Sequence, residues 1–293
     1  MKNYLTTSRS FFIVISFTVL ILWIDFSGCA GSKKMKDSFT FIQMTDTQFG
    51  MFTENKSFEK ETDHFTKAIT AANRLKPAFV VVTGDLINRA FDTAQIAEYY
   101  RVSSKLNSKI KLYNVPGNHD VGNDPQPTNI DTYHNNFGKD YYSFNYHSML
   151  GIVLNSLYLK SPQLVAKQAK EQEAWLIKTL AEAKNKNYQH IVVFMHHSLF
   201  LNDANEPDQY FNIPTNTRKK YIDLLEAAGV KYVFAGHYHR NAFGKSGNLN
   251  MVTTGPVGKA LGKDSSGFRM ITVKGNELTH QYFSLDSIPK KVH

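Results

Sequence analysis

Five short runs rich in apolar and β-branched residues each end abruptly in residues that can bind a metal ion or a phosphate group. Runs of this length and composition predict buried strands. Because ligands of an α/β sheet gather at the carboxyl ends of its strands, this recurrence constrains both the fold and the place of a site. The polar segments are Asp46-Thr47-Gln48, Gly84-Asp85-Leu86-Ile87-Asn88, Gly117-Asn118-His119-Asp120, His196-His197 and Gly236-His237-Tyr238-His239.

Segments with helical periodicity separate these runs. They cover residues 57–75, 93–106, 169–184 and 217–228. Strand and helix in alternation predict crossover connections and a largely parallel sheet with helices outside it. The chain has no internal repeat and no long linker, so residues 38–286 are predicted to form one α/β domain, followed by a C-terminal tail at 287–293.

Further strand-like runs lie towards the C-terminal part of the chain. They indicate a second sheet that packs on the first. The runs are residues 142–146, 150–154, 251–254, 269–273 and 278–283.

The first 28 residues are predicted to be a signal peptide of the lipoprotein type. Lys2 and Arg9 precede an unbroken apolar run at residues 11–24. That run is shorter than the roughly 20 residues that a spanning helix needs, and it matches the apolar part of a secretory signal.

Phe26-Ser27-Gly28-Cys29 resembles a bacterial lipobox, which makes Cys29 the candidate lipidation site. The alternative is an uncleaved N-terminal anchor with an incidental cysteine. Residues 29–37 are predicted to be a short tether. We therefore expect an exported protein anchored to a membrane on the periplasmic or cell-envelope side. Ala30 stands where some lipoproteins carry an acidic residue for inner-membrane retention, which favours the outer membrane.

Charge and cysteine content exclude several other classes of protein. A single cysteine excludes an intramolecular disulfide framework and a cysteine-based zinc finger. The formal net charge of +9 is scattered along the chain and is not accompanied by an aromatic and basic stripe. We therefore expect a solvated basic surface and no nucleic-acid partner.

The polar segments together offer a mixed set of oxygen and imidazole ligands. Carboxylate, amide and imidazole groups suit Mn, Fe or Zn, whereas Ca prefers an almost all-oxygen shell. Seven ligands exceed the need of one ion, so two divalent ions that share a carboxylate are predicted. The candidates are Asp46, Gln48, Asp85, Asn118, His196, His237 and His239.

Such a site is suited to a phosphate ester as substrate. Two divalent ions carry +4, while Asp46 and Asp85 return −2, which leaves a cationic site. Ions about 3.5–4 Å apart can activate a bridging water and hold the phosphate oxygens during in-line attack.

His119 and Asp120 are the candidate catalytic pair. His119 follows a predicted ligand and could protonate the leaving oxygen, while Asp120 could orient its imidazole. Each motif alone has a structural alternative, such as a turn, a loop end or a buried histidine pair. Substrate contact and packing or loop anchoring are both open for Asn88, His197, Tyr238 and Arg240.

In order, spacing and strand context, the polar segments resemble the motifs of the calcineurin-like metallophosphoesterases, from residue 39 to about residue 285. The resemblance implies a four-layer αββα sandwich of two mixed sheets flanked by helices. It also implies that one metal is bound by Asp46, Gln48, Asp85 and His239, and the other by Asp85, Asn118, His196 and His237. His119 and Asp120 would be catalytic.

Gln48 departs from the Asp-x-His that is usual in the first motif of this family. An amide oxygen is a harder ligand than imidazole, which favours Mn or Mg over Zn at the first position. A subgroup with Asp-x-Gln followed by Phe-Gly is similar in this respect, and its animal members are described as protein serine/threonine phosphatases. The expected function is therefore metal-dependent hydrolysis of phosphate monoesters, including phosphoprotein. The alternatives are a phosphodiesterase acting on nucleotides or phospholipid headgroups, and a non-catalytic phospho-ligand-binding protein of the envelope.

Overall fold

The computed structural model describes residues 1–2 and 38–290. The predicted lipidation site at Cys29, the tether and nearly all of the predicted signal peptide lie outside the described residues. Within the described part of the chain, no helix combines the length and the apolar character needed to span a membrane.

The strands form two mixed sheets. The first has the order β11-β10-β1-β2-β3, and the second has the order β4-β5-β6-β7-β9-β8. The strands are β1 (Ser38–Met44), β2 (Phe79–Thr83), β3 (Lys111–Val115), β4 (Tyr142–Tyr146), β5 (Met149–Val153), β6 (His190–Phe194), β7 (Tyr232–Ala235), β8 (Ala242–Ser246), β9 (Leu249–Thr253), β10 (Gly267–Lys274) and β11 (Glu277–Ser284).

Seven α-helices of the described residues accompany these sheets. At the start of α2 the Asp92 side chain accepts the backbone N–H groups of Ala94 and Gln95. Proline occupies the first position of α4. The helices are α1 (Glu59–Leu75), α2 (Thr93–Ser103), α3 (Asn118–Val121), α4 (Pro127–Phe137), α5 (Leu157–Lys160), α6 (Ala166–Lys184) and α7 (Thr215–Ala227).

Three apolar clusters hold the layers together. One joins the first sheet to α1 and α2, and another joins the second sheet to α4, α6 and α7. The third lies between the sheets, where Phe41 and Phe79 from the first meet Phe144, Phe194 and Phe234 from the second. The result is an α/β fold in which two mixed sheets are flanked by helices, as expected.

The distribution of strands between the sheets differs from the simplest expectation from the sequence. The ligand-bearing strands belong to both sheets: β1, β2 and β3 to the first, and β6 and β7 to the second. The runs at 269–273 and 278–283 were expected in the second sheet but form β10 and β11 of the first. The reason is that β10 pairs antiparallel with β1, from Ser38 opposite Lys274 to Gln43 opposite Arg269.

Candidate metal centre

The loops that follow β1, β2, β3, β6 and β7 meet at one edge of the two sheets. Backbone hydrogen bonds connect them: the N–H of Asp46 donates to Gly84 O at 3.0 Å, and that of Gln48 to Asp85 O at 2.9 Å. The N–H of Gly236 donates to His196 O at 3.0 Å. The carboxyl ends of parallel strands therefore converge as predicted, although the strands come from two sheets.

Two groups of potential ligands lie side by side and share one carboxylate. The first is Asp85, His196 and His237, and the second is Asp46, Asp85 and His239; within each group the ligand atoms lie within 4.8 Å of one another. All of these side chains are buried. Asp85 thus belongs to both groups of potential ligands.

Two of the predicted ligands are amides, Asn118 and Gln48, and both are buried. Asn118 Oδ1 lies 3.1 Å from His196 Nε2, beside the first group. Among the described residues, Gln48 Oε1 is buried without a hydrogen-bond partner, and Asp46 Oδ1 has an ion-pair contact with His239 Nε2 at 3.3 Å. A buried oxygen without a partner costs about 1–3 kcal/mol, so Gln48 Oε1 fits a role as a cation ligand. The donor set and this free oxygen together fit divalent metal binding.

Backbone carbonyls fix the orientation of the histidine rings. His196 Nδ1 lies 2.8 Å from Thr83 O, and His239 Nδ1 lies 2.7 Å from Lys259 O. Because a carbonyl only accepts, each Nδ1 carries the proton, and Nε2 is the nitrogen that could bind a cation. Accordingly, His196 Nε2 lies 3.2 Å from Asp85 Oδ2, and His239 Nε2 lies 3.3 Å from Asp46 Oδ1.

The backbone at the site is strained. Asp46, Gln48, Asp85, His237 and His239 all have a positive φ, between 41° and 66°. Non-glycine residues adopt this left-handed region rarely and at a cost, and such strain concentrates at functional sites. The strain turns five of the predicted ligands towards one point, at the expense of local stability.

Two glycines allow the loops to approach closely. A Cβ at Gly236 would lie 1.8 Å from Thr45 Oγ1, and one at Gly117 would lie 2.1 Å from Asp85 N. Neither position admits a side chain without displacing a ligand loop. The glycines that precede predicted ligands are therefore explained by packing of the loops on one another.

Burial and neighbouring charges raise the pKa of some predicted ligands and lower the pKa of others. Burial lowers the pKa of His196, but the Asp85 carboxylate more than compensates and raises it to about 9. Burial raises the pKa of Asp85, but the positive charges of His196 and His119 take it well below its usual range. Burial, followed by the charge of His196, lowers the pKa of His237 to about 3. A cation at this centre must therefore displace a proton from His196.

His119 lies at the edge of the centre and is partly exposed. Its Nδ1 lies 2.6 Å from Asn88 O, and its backbone N–H donates to Asp85 Oδ1 at 2.8 Å. Nδ1 therefore carries the proton, and Nε2 is the nitrogen available to a substrate.

Asp120 occupies a different position from the one we expected. Its Oδ1 accepts the backbone N–H groups of Leu86 and Ile87 at 2.9 and 3.2 Å, and its Oδ2 accepts that of Gly117 at 2.8 Å. Both carboxylate oxygens are thus occupied by the loops after β2 and β3. Asn88 O, rather than Asp120, orients His119, and Asp120 holds the two loops together.

Asn88 anchors the centre from behind Gln48. Gln48 Nε2 donates to Asn88 Oδ1 at 3.3 Å, and Asn88 Nδ2 donates to Asn55 Oδ1 at 2.8 Å. These hydrogen bonds engage Gln48 Nε2 and leave Gln48 Oε1 without a hydrogen-bond partner. Of the two functions left open for Asn88, the contacts favour loop anchoring.

The remaining predicted substrate residues separate into two groups. His197 is 1% exposed, packs on the His237 ring at 4.1 Å and lies 2.9 Å from Ser156 Oγ through Nδ1. It supports His237 from within, in place of the substrate contact that we considered. Tyr238 and Arg240 are half-buried, and the Arg240 guanidinium stands 4.9 Å from the centre of the Tyr238 ring.

Tyr210 was not predicted from the sequence, yet it lies against the centre. Its ring centroid is 4.7 Å from that of His237, and its hydroxyl is 3.4 Å from Asn118 Nδ2. The residue belongs to a long loop between β6 and α7 and follows no recognisable motif, so only the folded chain reveals it.

Comparison with known proteins agrees with this geometry. The model of the family described as "Calcineurin-like phosphoesterase" matches residues 39–241. The chain is 38% identical over 274 residues to the serine/threonine-protein phosphatase CPPED1 of Bos taurus, covering 88% of each chain.

Solved structures share the fold at low sequence identity. GAP50, the anchor in the inner membrane complex of Plasmodium, superposes with a TM-score of 0.66 at 16% identity and covers 87% of each chain. A dimetal phosphatase from Danio rerio superposes with a TM-score of 0.60 at 14% identity, covering 84% of this chain and 99% of its own. At these identities the similarity concerns the fold.

Proposed function

The chain belongs to the calcineurin-like phosphoesterase family, and from that premise we propose that it is a metal-dependent hydrolase of phosphate monoesters with two divalent ions. The observation that carries the proposal is the pair of ligand groups that share Asp85. Seven side chains supply more ligands than one ion needs, and one oxygen among them, Gln48 Oε1, is buried without a hydrogen-bond partner.

We assign the ligands of the two ions according to these groups. Asp46, Gln48, Asp85 and His239 would hold one ion, and Asp85, Asn118, His196 and His237 would hold the other. Divalent ions at these positions would lower the pKa of bound water and neutralise phosphate charge. The amide ligands suit Mn or Fe as well as Zn.

The chain's own residues then position the ester and move the proton. His119 faces the centre with Nε2, because Nδ1 is held by Asn88 O. We assign to His119, in its doubly protonated form, the donation of the Nε2 proton to the leaving oxygen, which neutralises the charge that develops there; the Nδ1 proton stays with Asn88 O and leaves a neutral imidazole. We also assign to Tyr238 and Arg240, which are half-buried and adjoin His237 and His239 in the sequence, contact with the part of the substrate beyond the phosphate.

A monoester is favoured over a diester by the relatives. Serine/threonine-protein phosphatase is the printed name of CPPED1, which this chain matches across most of both lengths. A phosphorylated serine or threonine side chain is a monoester, so phosphoprotein is included in the proposed substrate class.

The test compares three substrates with the purified full-length protein, loaded separately with Mn, Fe and Zn. We expect hydrolysis of 4-nitrophenyl phosphate and of a phosphoserine peptide at a kcat/KM at least about tenfold above that for bis(4-nitrophenyl) phosphate. Preference for the diester would favour the alternative phosphodiesterase. Metal-loaded protein that hydrolyses none of the three would contradict the proposal.

We also propose that Cys29 carries a lipid that anchors the protein at the cell envelope. The support is the lipobox-like sequence that precedes Cys29 and the apolar run of residues 11–24. Expressed in a bacterial host, the wild-type chain should incorporate radioactive palmitate and sediment with membranes, whereas Cys29→Ala should incorporate none. Equal labelling of both would refute the assignment.

A further inference from the structure

The Tyr210 loop (residues 201–214) projects from the second sheet towards the metal centre. Tyr210 is 52% exposed, but its ring packs on His237 and its hydroxyl reaches the amide of Asn118. Its backbone O also lies 3.4 Å from His237 Nε2. One residue thus contacts two predicted ligands of the same ion and still presents half of its surface to solvent.

A buried arginine holds the base of this loop. Arg218 is 1% exposed, and its Nε donates to Ile213 O at 3.0 Å. Its Nη1 donates to Ala204 O at 3.0 Å and to Glu206 O at 2.6 Å. Because hydrogen bonds from a charged donor are among the stronger ones, the base of the loop is fixed to α7.

A lysine holds the tip of the loop on both sides of Tyr210. Lys160 Nζ donates to Gln209 O at 2.8 Å and to Asn212 O at 2.7 Å. The Glu206 carboxylate adds hydrogen bonds from Leu201 N and Asn212 Nδ2. Tyr210 is therefore held in place by the loop before any ligand arrives, which reduces the entropy that binding must overcome.

The hydrogen-bonding pattern at the hydroxyl leaves one proton free. Asn118 Oδ1 faces His196 Nε2, so Asn118 Nδ2 faces Tyr210 and donates to its hydroxyl oxygen. A tyrosine hydroxyl both accepts and donates, so the Tyr210 proton remains available to another acceptor on the exposed side. With two metal ions bound at the centre, as proposed above, an oxygen of a phosphate group is a suitable acceptor for this proton.

We propose that Tyr210 is a phosphate-binding residue: its hydroxyl donates to a phosphoryl oxygen while it holds Asn118 with the ligating oxygen towards the metal. The inference rests on the proposed function, which supplies the phosphate, but it concerns recognition and not the hydrolytic step. It also explains why the loop is braced by two buried or half-buried cations instead of being left mobile.

The test measures binding of inorganic phosphate by isothermal titration calorimetry to full-length protein saturated with metal. We expect Tyr210→Phe to weaken phosphate binding roughly tenfold or more, because one hydrogen bond to a charged group is lost. Lys160→Met, which releases the loop but keeps the hydroxyl, should weaken it several-fold. Tyr188→Phe is the matched control, since the Tyr188 hydroxyl donates only to Asn145 Oδ1, at 2.9 Å and away from the centre. It should bind as the wild type does.

Each outcome decides the inference. Unchanged phosphate affinity in Tyr210→Phe, or metal-loaded wild-type protein that binds no phosphate, would overturn it. Failure of the proposed function gives a different result: wild-type protein would bind phosphate more tightly than Tyr210→Phe and yet hydrolyse no ester. A 4-nitrophenyl phosphate assay on the same samples separates the cases, with the loss in Tyr210→Phe expected mainly as a higher KM.

Discussion

Asp85 Oδ1 accepts the backbone N–H of His119 at 2.8 Å, while Asp85 Oδ2 lies 3.2 Å from His196 Nε2. One carboxylate thus joins the two ligand groups to the residue proposed to protonate the leaving oxygen. The His119 imidazole is separately held by Asn88 O. The proton donor is therefore positioned by the backbone, and its side chain can be changed without removing a contact to the ligands.

His119→Ala should lower kcat by about 10²–10⁴-fold, the usual contribution of a general acid, with metal content unchanged. Metal analysis and turnover of 4-nitrophenyl phosphate on the same preparation measure both quantities. His134→Ala is the matched control, because His134 pairs with Asp140 outside the centre, and it should keep wild-type kcat. Loss of metal in His119→Ala would mean that the imidazole is a ligand.

Gln48→Leu should weaken binding of one ion at least about tenfold, because a ligand is removed, while the free energy of unfolding of the metal-free protein changes by less than about 1 kcal/mol. The effect on stability should be small because the substitution removes the long hydrogen bond from Gln48 Nε2 to Asn88 Oδ1, at 3.3 Å, but also removes the cost of the buried Gln48 Oε1, which has no hydrogen-bond partner in the described structure. Metal titration and chemical denaturation check the two expectations. A large loss of stability with unchanged metal affinity would show that Gln48 is structural.

Metal affinity should rise about tenfold per pH unit between pH 7 and pH 9, because the ion must displace the proton of His196. Its pKa is raised to about 9 in the metal-free fold, since the effect of Asp85 exceeds that of burial. Calorimetric titrations in buffers of different ionisation enthalpy should show one proton released at pH 7. Affinity that does not change over this range would contradict the pairing of His196 with Asp85.

The same shift predicts the pH dependence of stability without metal. The pKa of His196 in the fold lies above its unfolded value of 6.5. The stabilisation is therefore complete below about pH 6.5 and is lost as pH rises through about 9. Urea unfolding of chelator-treated protein should show this decline, and His196→Gln should reduce it, leaving the part due to His239, whose pKa is also raised because the Asp46 carboxylate outweighs burial. A metal-free protein that becomes more stable over the same range would contradict the sign.

Arg269→Met should lower the free energy of unfolding by about 2–3 kcal/mol, because the hydrogen bonds from this buried, charged guanidinium on the first sheet to neutral partners beside the second sheet are lost. Arg269 donates to Thr254 Oγ1 at 2.8 Å and to Asn241 Oδ1 at 2.6 Å. Since Asn241 closely follows His239, metal affinity should fall as well. The exposed Arg74, which contacts Pro289 O, provides the control. A variant as stable as Arg74→Met would contradict this positioning of the loop after β7.

The sequence predicted the ligand loops well because each follows an apolar run that ends abruptly in polar residues. Such a boundary is local, and the convergence of strand ends does the rest. The pairing of β10 with β1 was not predictable in the same way, because it joins residues near the two ends of the domain. Local periodicity identifies a strand but carries no information about its partner.

Among the site residues, too, some features were predictable from the local sequence and others depended on contacts between distant elements. The burial and proximity of Asp46, Asp85 and His239 followed from motif position, whereas the contacts of Asp120 depended on where the backbone N–H groups of Leu86 and Gly117 point. Tyr210 required the path of a loop whose bracing groups, Lys160 and Arg218, lie in separate elements. Side-chain chemistry was readable from the sequence, but hydrogen-bond partners across elements were not.

The most direct test of the account counts metal ions and turnover in wild-type protein and Asp85→Asn, both full-length and loaded under the same conditions. We predict two ions per chain and hydrolysis of 4-nitrophenyl phosphate in the wild type. In Asp85→Asn we predict the loss of at least one ion and a fall in kcat/KM of at least about 100-fold, because both ligand groups depend on this carboxylate. Wild-type metal content and turnover in Asp85→Asn would contradict the shared centre.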